Sequence, residues 1–294
     1  MTIESESQTS AAEQADSFAD LGLAPALLQA LEVMGLSQPT QVQQQGIPLA
    51  LQAQDLLVQA PTGTGKTLAY LLPALEQLLQ NPLPVPGPRV LVLVPTRELA
   101  RQVFKDALQL VRFVDLRLAS IAGGESYAEQ LQRLNKAPAL LVATPGRLLR
   151  VLAEEDLNLE SVELLVLDEA DRMLDMGFAK DIQDTLAFMP SKPRILLFSA
   201  TLGEYRVANF ASQVLQEPQR LVVGQDRSLP PHIEQLALFA DSLEHKFQLL
   251  AALLGQDAAG AGRLALVFGF SRERCQRIQS WLLSQGLVSQ TLHG

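Results

Sequence analysis

Cysteine occurs once in these 294 residues, at Cys275, so no disulfide can close within the chain. Histidine is nearly as scarce. His232, His245 and His293 stand apart, with no Cys, Asp or Glu at ligand spacing, which argues against a metal held by imidazole or thiolate. No stretch reaches the roughly 18 uninterrupted apolar residues of a membrane span, and no basic segment followed by an apolar one opens the chain. These absences point to a cytoplasmic protein with no membrane to bind. Positive charge is also in short supply: 23 Lys and Arg stand against 32 Asp and Glu, a net charge of −9. That excludes capture of nucleic acid by a broad basic field, so any RNA or DNA site must be local.

What is present is ample apolar material, 48% of the residues, in a length that accommodates about two domains at roughly 100–200 residues each. Residues 1–17 stand outside them. Glu4, Glu6, Glu13 and Asp16 lie in a Ser/Gln/Ala-rich acidic tail with too little apolar surface to fold, and this tail is expected to be disordered. Order begins at Phe18, where Leu21, Leu23, Leu27, Leu28, Leu31 and Met34 suit an amphipathic helix closed by Gly35.

The most informative stretch is Ala60-Pro61-Thr62-Gly63-Thr64-Gly65-Lys66-Thr67. A strand-like run, residues 55–59, leads into it and the apolar-periodic 68–79 follows, giving the strand, Gly-rich loop and helix order of a phosphate-binding P-loop. Ala60 stands where the general pattern has Gly. Pro73 falls inside the following helix, removes one intrahelical donor and predicts a kink or local opening. Upstream, Pro39-Thr40 reads as a loop capping a helix, and Gln43 carries a sharper meaning. A primary amide can donate to and accept from the N6/N7 edge of adenine at once, which makes a Gln near a P-loop a candidate base reader.

Short runs rich in Leu, Val and Ile recur at 89–94, 116–121, 139–143, 164–167 and 195–198, separated by helical patterns at 98–113, 127–134, 147–154 and 180–188. This is the alternation of an α/β fold, a parallel sheet with helices on both faces, in which ligands sit beyond the carboxyl ends of the strands. Five polar loops fall there: Pro95-Thr96-Arg97, Gly123-Gly124, Thr144-Pro145-Gly146-Arg147, Asp168-Glu169-Ala170-Asp171 and Ser199-Ala200-Thr201. Singly, each has a plain structural reading as a cap or turn. Behind a P-loop, in this order, they read as one rim. Asp168 follows the apolar Leu164–Leu167 as a metal-holding acid should, and Glu169 is placed to orient or deprotonate the water attacking a γ-phosphate.

Asp168-Glu169-Ala170-Asp171, with the segments 60–67, 95–98, 144–147 and 199–201 in this order, resembles the DEAD-box RNA helicases of superfamily 2. The likeness runs from Phe18 through Arg172–Phe178 and into a second domain. It implies a RecA-like ATP-binding domain over 18–224, ATP and Mg²⁺ as cofactors, and RNA as a partner bound without sequence preference. By resemblance, Phe18 and Gln43 belong to adenine recognition, residues 60–67 to the phosphates, Thr67 and Asp168 to Mg²⁺ through water, and Lys66, Asp168 and Glu169 to catalysis. Pro95, Thr96, Arg97, Gly123, Gly124, Thr144, Gly146 and Arg147 are implied in RNA binding, through exposed amides and two arginines that suit phosphates and 2′-hydroxyls. Asp171, Ser199 and Thr201 are implied in coupling the two faces, the hydroxyls bonding Asp171.

After a further strand at 221–223, residues 225–231 read as a linker. Residues 232–294 are expected to begin a second RecA-like domain, with strands at 233–239, 264–268 and 287–292 and helices at 243–254 and 272–285. The family's later motifs, which supply arginines to the γ-phosphate, do not occur before Gly294, so impaired turnover is expected, an arginine finger being worth roughly 10³–10⁵ in rate. The alternative to an active helicase is a truncated ATP- and RNA-binding module. The unfinished domain is expected to expose apolar surface that a protein partner would cover. Trp281, Met173, Met176 and Phe178 read as packing residues, and Cys275 as a buried or half-buried inert thiol.

Overall fold

The computed structural model describes residues 16–83, 85, 87–189, 193–202, 205–224, 236–258 and 264–293. They divide into two compact units, Met1–Asp226 and Arg227–Gly294.

The first unit opens on a 3₁₀ turn, Phe18–Leu21, followed by α1 (Pro25–Val33) and α2 (Gln41–Ala50). The apolar spacing predicts one continuous helix over this opening stretch. Gly22, left-handed at φ 71, ends the turn, and Pro25 at a first helical position starts a new helix. Gly35, at φ 74, follows α1 in the left-handed conformation expected of a stop.

From there strand and helix alternate: β1 (Leu56–Gln59), α3 (Lys66–Gln80), β2 (Val90–Leu93), α4 (Arg97–Leu110), β3 (Leu118–Ile121), α5 (Tyr127–Leu134), β4 (Leu140–Ala143), α6 (Pro145–Ala153) and β5 (Leu164–Leu167). Then come α7 (Ala170–Asp175), α8 (Ala179–Ala187), β6 (Arg194–Ser199), α9 (Tyr205–Val214) and β7 (Gln219–Val222). Helix α3 runs unbroken through Pro73, whose ring is buried. Any loss at the missing donor is local, since packing of both faces of α3 holds the flanking turns.

The seven strands form one sheet in the order β3-β4-β2-β5-β6-β1-β7, and every neighbouring pair is parallel. Because side chains alternate across a strand, each strand feeds two cores. Val58, Val90, Val92, Val142, Val166 and Phe198 pack with α1 to α4 on one face. Leu57, Leu91, Leu93, Leu141, Leu165 and Leu197 pack with α5 to α9 on the other. Such two-sided burial is why the strands read as continuous apolar runs. With all strands parallel, the ends of β1, β5 and β6 lie side by side and gather the segments that follow them.

The second unit contains α10 (Leu243–Ala258) and α11 (Arg272–Ser284). Phe247 stacks on Trp281 with ring centroids 5.1 Å apart, so Trp281 is half-buried between these helices rather than fully in a core. Cys275 is half-buried. The expected strands are not formed among the described residues: 264–268 and 287–292 carry no ladder, and neither does 236–239. Residues 225–230 of the linker and 231–235 lie outside the described residues. The exposed side chains of Leu264, Leu266 and Phe268 show why a buried-strand pattern is insufficient: a strand exists only when a neighbour accepts its hydrogen bonds and covers its face.

Candidate functional site

The loop between β1 and α3 is closed by its own residues. Gly63 and Gly65 have φ 79 and 95, values that favour glycine. Lys66, buried at the start of α3, donates from Nζ to the Ala60 carbonyl at 2.9 Å, and Thr64 Oγ1 donates to the Pro61 carbonyl at 2.8 Å. Ala60 is fully buried and its amide donates to the Ser199 carbonyl at 3.1 Å, which ties the root of the loop to the end of β6. Pro61, Thr62 and Gly63 are exposed, and a Cβ added at Gly63 would meet nothing, so the cradle is open to solvent.

Gln43 reaches this loop from α2. Its Nε2 donates to the Gly65 carbonyl at 3.0 Å and its Oε1 accepts from the Thr40 amide at 2.9 Å. The amide thus latches the α2 entry to the P-loop, leaving one N–H and one lone pair for a ligand. A Cβ at Gly65 would come within 2.4 Å of Gln43 Nε2, so the glycine is required for the latch as well as for its backbone angle. Phe18 is a core residue, packed with Leu21 and Leu23, and offers little free ring surface; the apolar pattern of that stretch draws it inward. Glu76 of α3 holds the same stretch by accepting from the Ala24 amide at 2.6 Å.

Asp168, at the end of β5, is buried and uses both oxygens: Oδ2 accepts from the Tyr70 hydroxyl at 2.9 Å and Oδ1 from the Glu169 amide at 2.9 Å. Burial raises its pKa from the usual 3.8 to about 6, against the opposing pull of the Tyr70 hydroxyl and the Lys66 ammonium. Tyr70 lies one helical turn after Lys66, so α3 aims both at Asp168, and its ring packs edge-on against Phe198. Burial and the carboxylate raise the Tyr70 pKa well above its ordinary value, so it donates as a neutral phenol.

Glu169 is held in the left-handed conformation, φ 50 and ψ 50, uncommon for a residue with a side chain and strained by about 1–3 kcal/mol. The turn re-aims the chain between β5 and α7, so that Asp168 and Glu169 point differently. Glu169 Oε2 accepts from Arg172 Nη1 at 2.8 Å. Asp171 faces the end of β6: its Oδ2 accepts from the amides of Ala200 and Thr201 at 3.0 and 3.1 Å and from Thr201 Oγ1 at 3.1 Å. Ser199 Oγ donates to the Thr201 carbonyl at 2.9 Å and so shapes the turn that presents Thr201. Against burial, which raises it, the Arg172 amide and the Ser199 and Thr201 hydroxyls hold the Asp171 pKa below its usual value.

Along the rest of the rim, Thr96 caps α4 by accepting from the Leu99 amide at 3.2 Å, while Pro95 is buried beneath it. Arg97 is exposed, and its guanidinium lies against Gly124, where an added Cβ would approach Nη1 to 2.2 Å. Gly123, Gly124 and Gly146 are exposed. Thr144 is buried at the cap of α6, its amide donating to the Ile121 carbonyl at 3.2 Å. Arg147 is partly exposed and lies over the Tyr127 ring, 4.9 Å from the centroid. These loops share one rim because β2, β4 and β3 are neighbours. Met173 is buried as read from the sequence, whereas Met176, beyond the end of α7, is half exposed.

Tyr70, Glu76, Gln130 and Arg172 are structural partners of the site that the motif reading passes over. Tyr70 carries a faint signal, a polar tip one turn after Lys66 on an otherwise apolar helix face; the others carry none without the fold. Among the described residues no group of three or more His, Cys, Asp or Glu gathers as a metal site. The donor set of the rim, the Thr67 hydroxyl with the Asp168 carboxylate, is all oxygen and fits Mg²⁺ completed by water and phosphate better than a softer metal. No helix among the described residues is long and apolar enough to cross a membrane.

Comparison with known proteins places this geometry. The chain is 43% identical over 278 residues to the ATP-dependent RNA helicase SrmB of Haemophilus influenzae and 42% identical to that of Escherichia coli, covering 94% of this chain and 63% and 62% of those proteins. It is 40% identical to the ATP-dependent RNA helicase RhlB of Idiomarina loihiensis. The chain therefore spans under two thirds of the length of these relatives. Its structure superposes on the crystal structure of a DEAD box protein from the hyperthermophile Methanococcus jannaschii with a TM-score of 0.66 at 32% identity, covering 95% of this chain and 73% of that one. Residues 40–210 match the family model described as DEAD/DEAH box helicase, and with that match over more than half its length the chain belongs to the DEAD/DEAH box helicase family.

Proposed function

We propose that this chain supplies the nucleotide-binding core of an ATP-dependent RNA helicase, hydrolysing ATP in response to RNA and separating short duplexes locally. The convergence of Lys66, Asp168 and Glu169 at the adjoining ends of β1, β5 and β6 carries the reading, because these are the groups that bind phosphate, hold a metal and orient water. Gln43 keeps one donor and one acceptor for adenine, and Phe18 backs that pocket from the core. Lys66 exchanges the Ala60 carbonyl for phosphate oxygens when nucleotide enters. Thr67 and Asp168 would hold Mg²⁺, which when bound neutralises charge on the phosphates. Glu169, one oxygen steadied by Arg172, keeps the other to orient the attacking water and take its proton. The Asp171–Thr201 bonds link this acid segment to the turn after β6, a contiguous route towards the RNA-facing loops.

RNA binding on the rim is supported by the exposed Arg97 and by the Gly123-Gly124 loop, whose bare backbone can approach phosphates closely. Such contacts carry no base readout, consistent with binding independent of sequence. A second reading, a nucleotide- and RNA-binding module without turnover, is favoured by one observation: the described residues of the second unit form two helices and no strand. Its exposed apolar side chains are a surface for a protein partner.

ATP hydrolysis with and without oligouridylate, alongside binding of a fluorescent ATP analogue, tests both. Under the helicase reading RNA accelerates hydrolysis, and Glu169→Gln lowers turnover by roughly 10²–10⁴ while nucleotide still binds. Tight nucleotide binding with negligible, RNA-insensitive turnover in the parent supports the module. Failure to bind either nucleotide or RNA overturns both.

A further inference from the structure

Gln130, in the middle of α5, is completely buried, at 0% exposure, although it is an amide on a helix whose neighbours Leu131 and Leu134 pack on the apolar core. A leucine or methionine would fill such a place without the cost of burying a polar group, which runs to about 1–3 kcal/mol in proteins when the group is left unbonded. Gln130 avoids that cost by bonding at both ends. Its Nε2 donates to the Ala122 carbonyl at 2.8 Å, and its Oε1 accepts from Arg147 Nε at 2.7 Å.

Arg147 closes the figure, since its Nη2 donates to the Glu125 carbonyl at 3.1 Å. Between Ala122 and Glu125 lie only Gly123 and Gly124. The chain from 122 to 125, Arg147 and Gln130 therefore form a ring, in which the two glycines are the span and Gln130 is the tie. The glycines need it: a Gly-Gly segment has the largest backbone freedom of any dipeptide, and Gly124 sits at φ 80. A Cβ at Gly123 would meet nothing within 4 Å, so that residue is open to solvent on its Cβ side. Arg147 is fixed by the same ring and by the Tyr127 face beneath it, which leaves Nη1 and one N–H of Nη2 for a ligand.

We propose that Gln130 is a positioning residue for RNA binding, which tethers the Gly123-Gly124 loop to Arg147 and so holds two separate strand-end loops in one phosphate-binding register. The proposal rests on the reading that this rim binds RNA. Its physical content is preorganisation: with the tether in place the loop is ordered before RNA arrives, and without it the ordering of two glycines and one guanidinium is charged against binding. That ordering corresponds to an affinity loss of about ten- to a hundred-fold.

The test compares the parent chain with Gln130→Met, which keeps length and helix propensity but bonds at neither end, and Gln130→Glu, which keeps the acceptor for Arg147 and loses the donor to Ala122. Binding of fluorescein-labelled oligouridylate is read by anisotropy, with nucleotide-analogue affinity and far-UV circular dichroism recorded on the same samples. Gln130→Met is expected to weaken RNA binding by about ten- to a hundred-fold with nucleotide affinity and helix content unchanged, and Gln130→Glu to fall between it and the parent. Because Gln130 acts partly through Arg147, the Gln130→Met/Arg147→Ala pair is expected to be non-additive, the double variant binding within about three-fold of the weaker single one. A purely structural role would instead give additive losses, or losses that track melting temperature. If Gln130→Met fails to fold, Gln130→Glu decides alone: parent-like RNA affinity overturns the proposal. If the parent binds RNA and Gln130→Met binds it equally well, the tether is wrong and the RNA-binding rim stands. If the parent binds nucleotide but no RNA, the rim reading falls and the proposal with it.

Discussion

Asp168 shows how a single side chain can be both prepared for its ligand and costly without it. Its folded pKa, about 6, lies above the usual 3.8, so the folded chain holds this proton more tightly than the unfolded chain does. The stability this represents is present below about pH 4 and is lost as pH rises through about 6, a cost of about 3 kcal/mol at neutral pH. Asp168→Asn removes the buried charge but can serve only one of the two donors, Tyr70 or Glu169, and so gives back about 1 kcal/mol. In metal-free buffer the variant is therefore expected to melt roughly 2–6 °C above the parent at pH 7.5 and no higher than the parent at pH 4.5. Thermal melts at the two pH values check this; an equal difference at both would refute the burial argument. Mg²⁺ at this carboxylate would offset the same cost, which is how a destabilised acid becomes a selective cation ligand.

At the scale of elements, the sheet is held at its other end by a residue with no part in the chemistry. Asp55, just before β1, accepts from the Ile195 amide at 2.7 Å through Oδ1 and from the Gln216 amide at 2.7 Å through Oδ2. It thereby joins the start of β6 and the turn between α9 and β7 to the strand that leads into the P-loop. Asp55→Ala leaves both donors unpaired and is expected to cost about 2–4 kcal/mol, with Asp55→Asn recovering part of it. Urea titration reads the loss, and nucleotide affinity well below the transition should be unchanged, because the clamp lies at the opposite ends of the strands from the phosphate loop. The same logic, carbonyls and amides tied across elements by one side chain, governs the Gln43 latch and the Gln130 ring on the functional side.

For the whole molecule the two units contrast in how far apolar surface is removed from water. The first buries most of its strand residues between two helical layers, the edge strand β7 excepted. In the second, Leu264, Leu266, Phe268 and Phe270 are exposed at 102%, 79%, 88% and 99%, and Val288 and Leu292 at 96% each. Apolar side chains left this exposed bind amphiphilic dyes and favour association. The full chain is expected to enhance anilinonaphthalene sulfonate fluorescence, with most of the enhancement lost in a chain ending at Gly224 and that shorter chain still unfolding cooperatively. Equal enhancement by both would place the exposed surface elsewhere.

Much of the first unit was legible in the residues: the strand runs, the P-loop and the rim segments follow from periodicities and turn residues that act locally. Where the outcome differs from the pattern, the cause is a local breaker in one case and the tertiary packing in the others. Gly22 and Pro25 divide the expected opening helix into a 3₁₀ turn and α1, and Met176 lies half exposed beyond α7 where packing is expected. The strands expected in the second unit are the sharper case, since 264–268 has the composition of a buried strand but no ladder partner among the described residues.

The sequence by itself determined the parallel α/β core, the phosphate loop and the order of acids and hydroxyls along one rim, because these depend on residue type and on spacing over a few neighbours. Only the tertiary structure decided which side chains hold the rim in shape. Tyr70 meets Asp168 across 98 residues. Gln43 meets Gly65 across 22, and Gln130 meets Arg147 across 17. A buried hydrogen bond of this kind depends on two surfaces being brought together by the packing of strands and helices, and nothing in the local pattern of either partner announces the other.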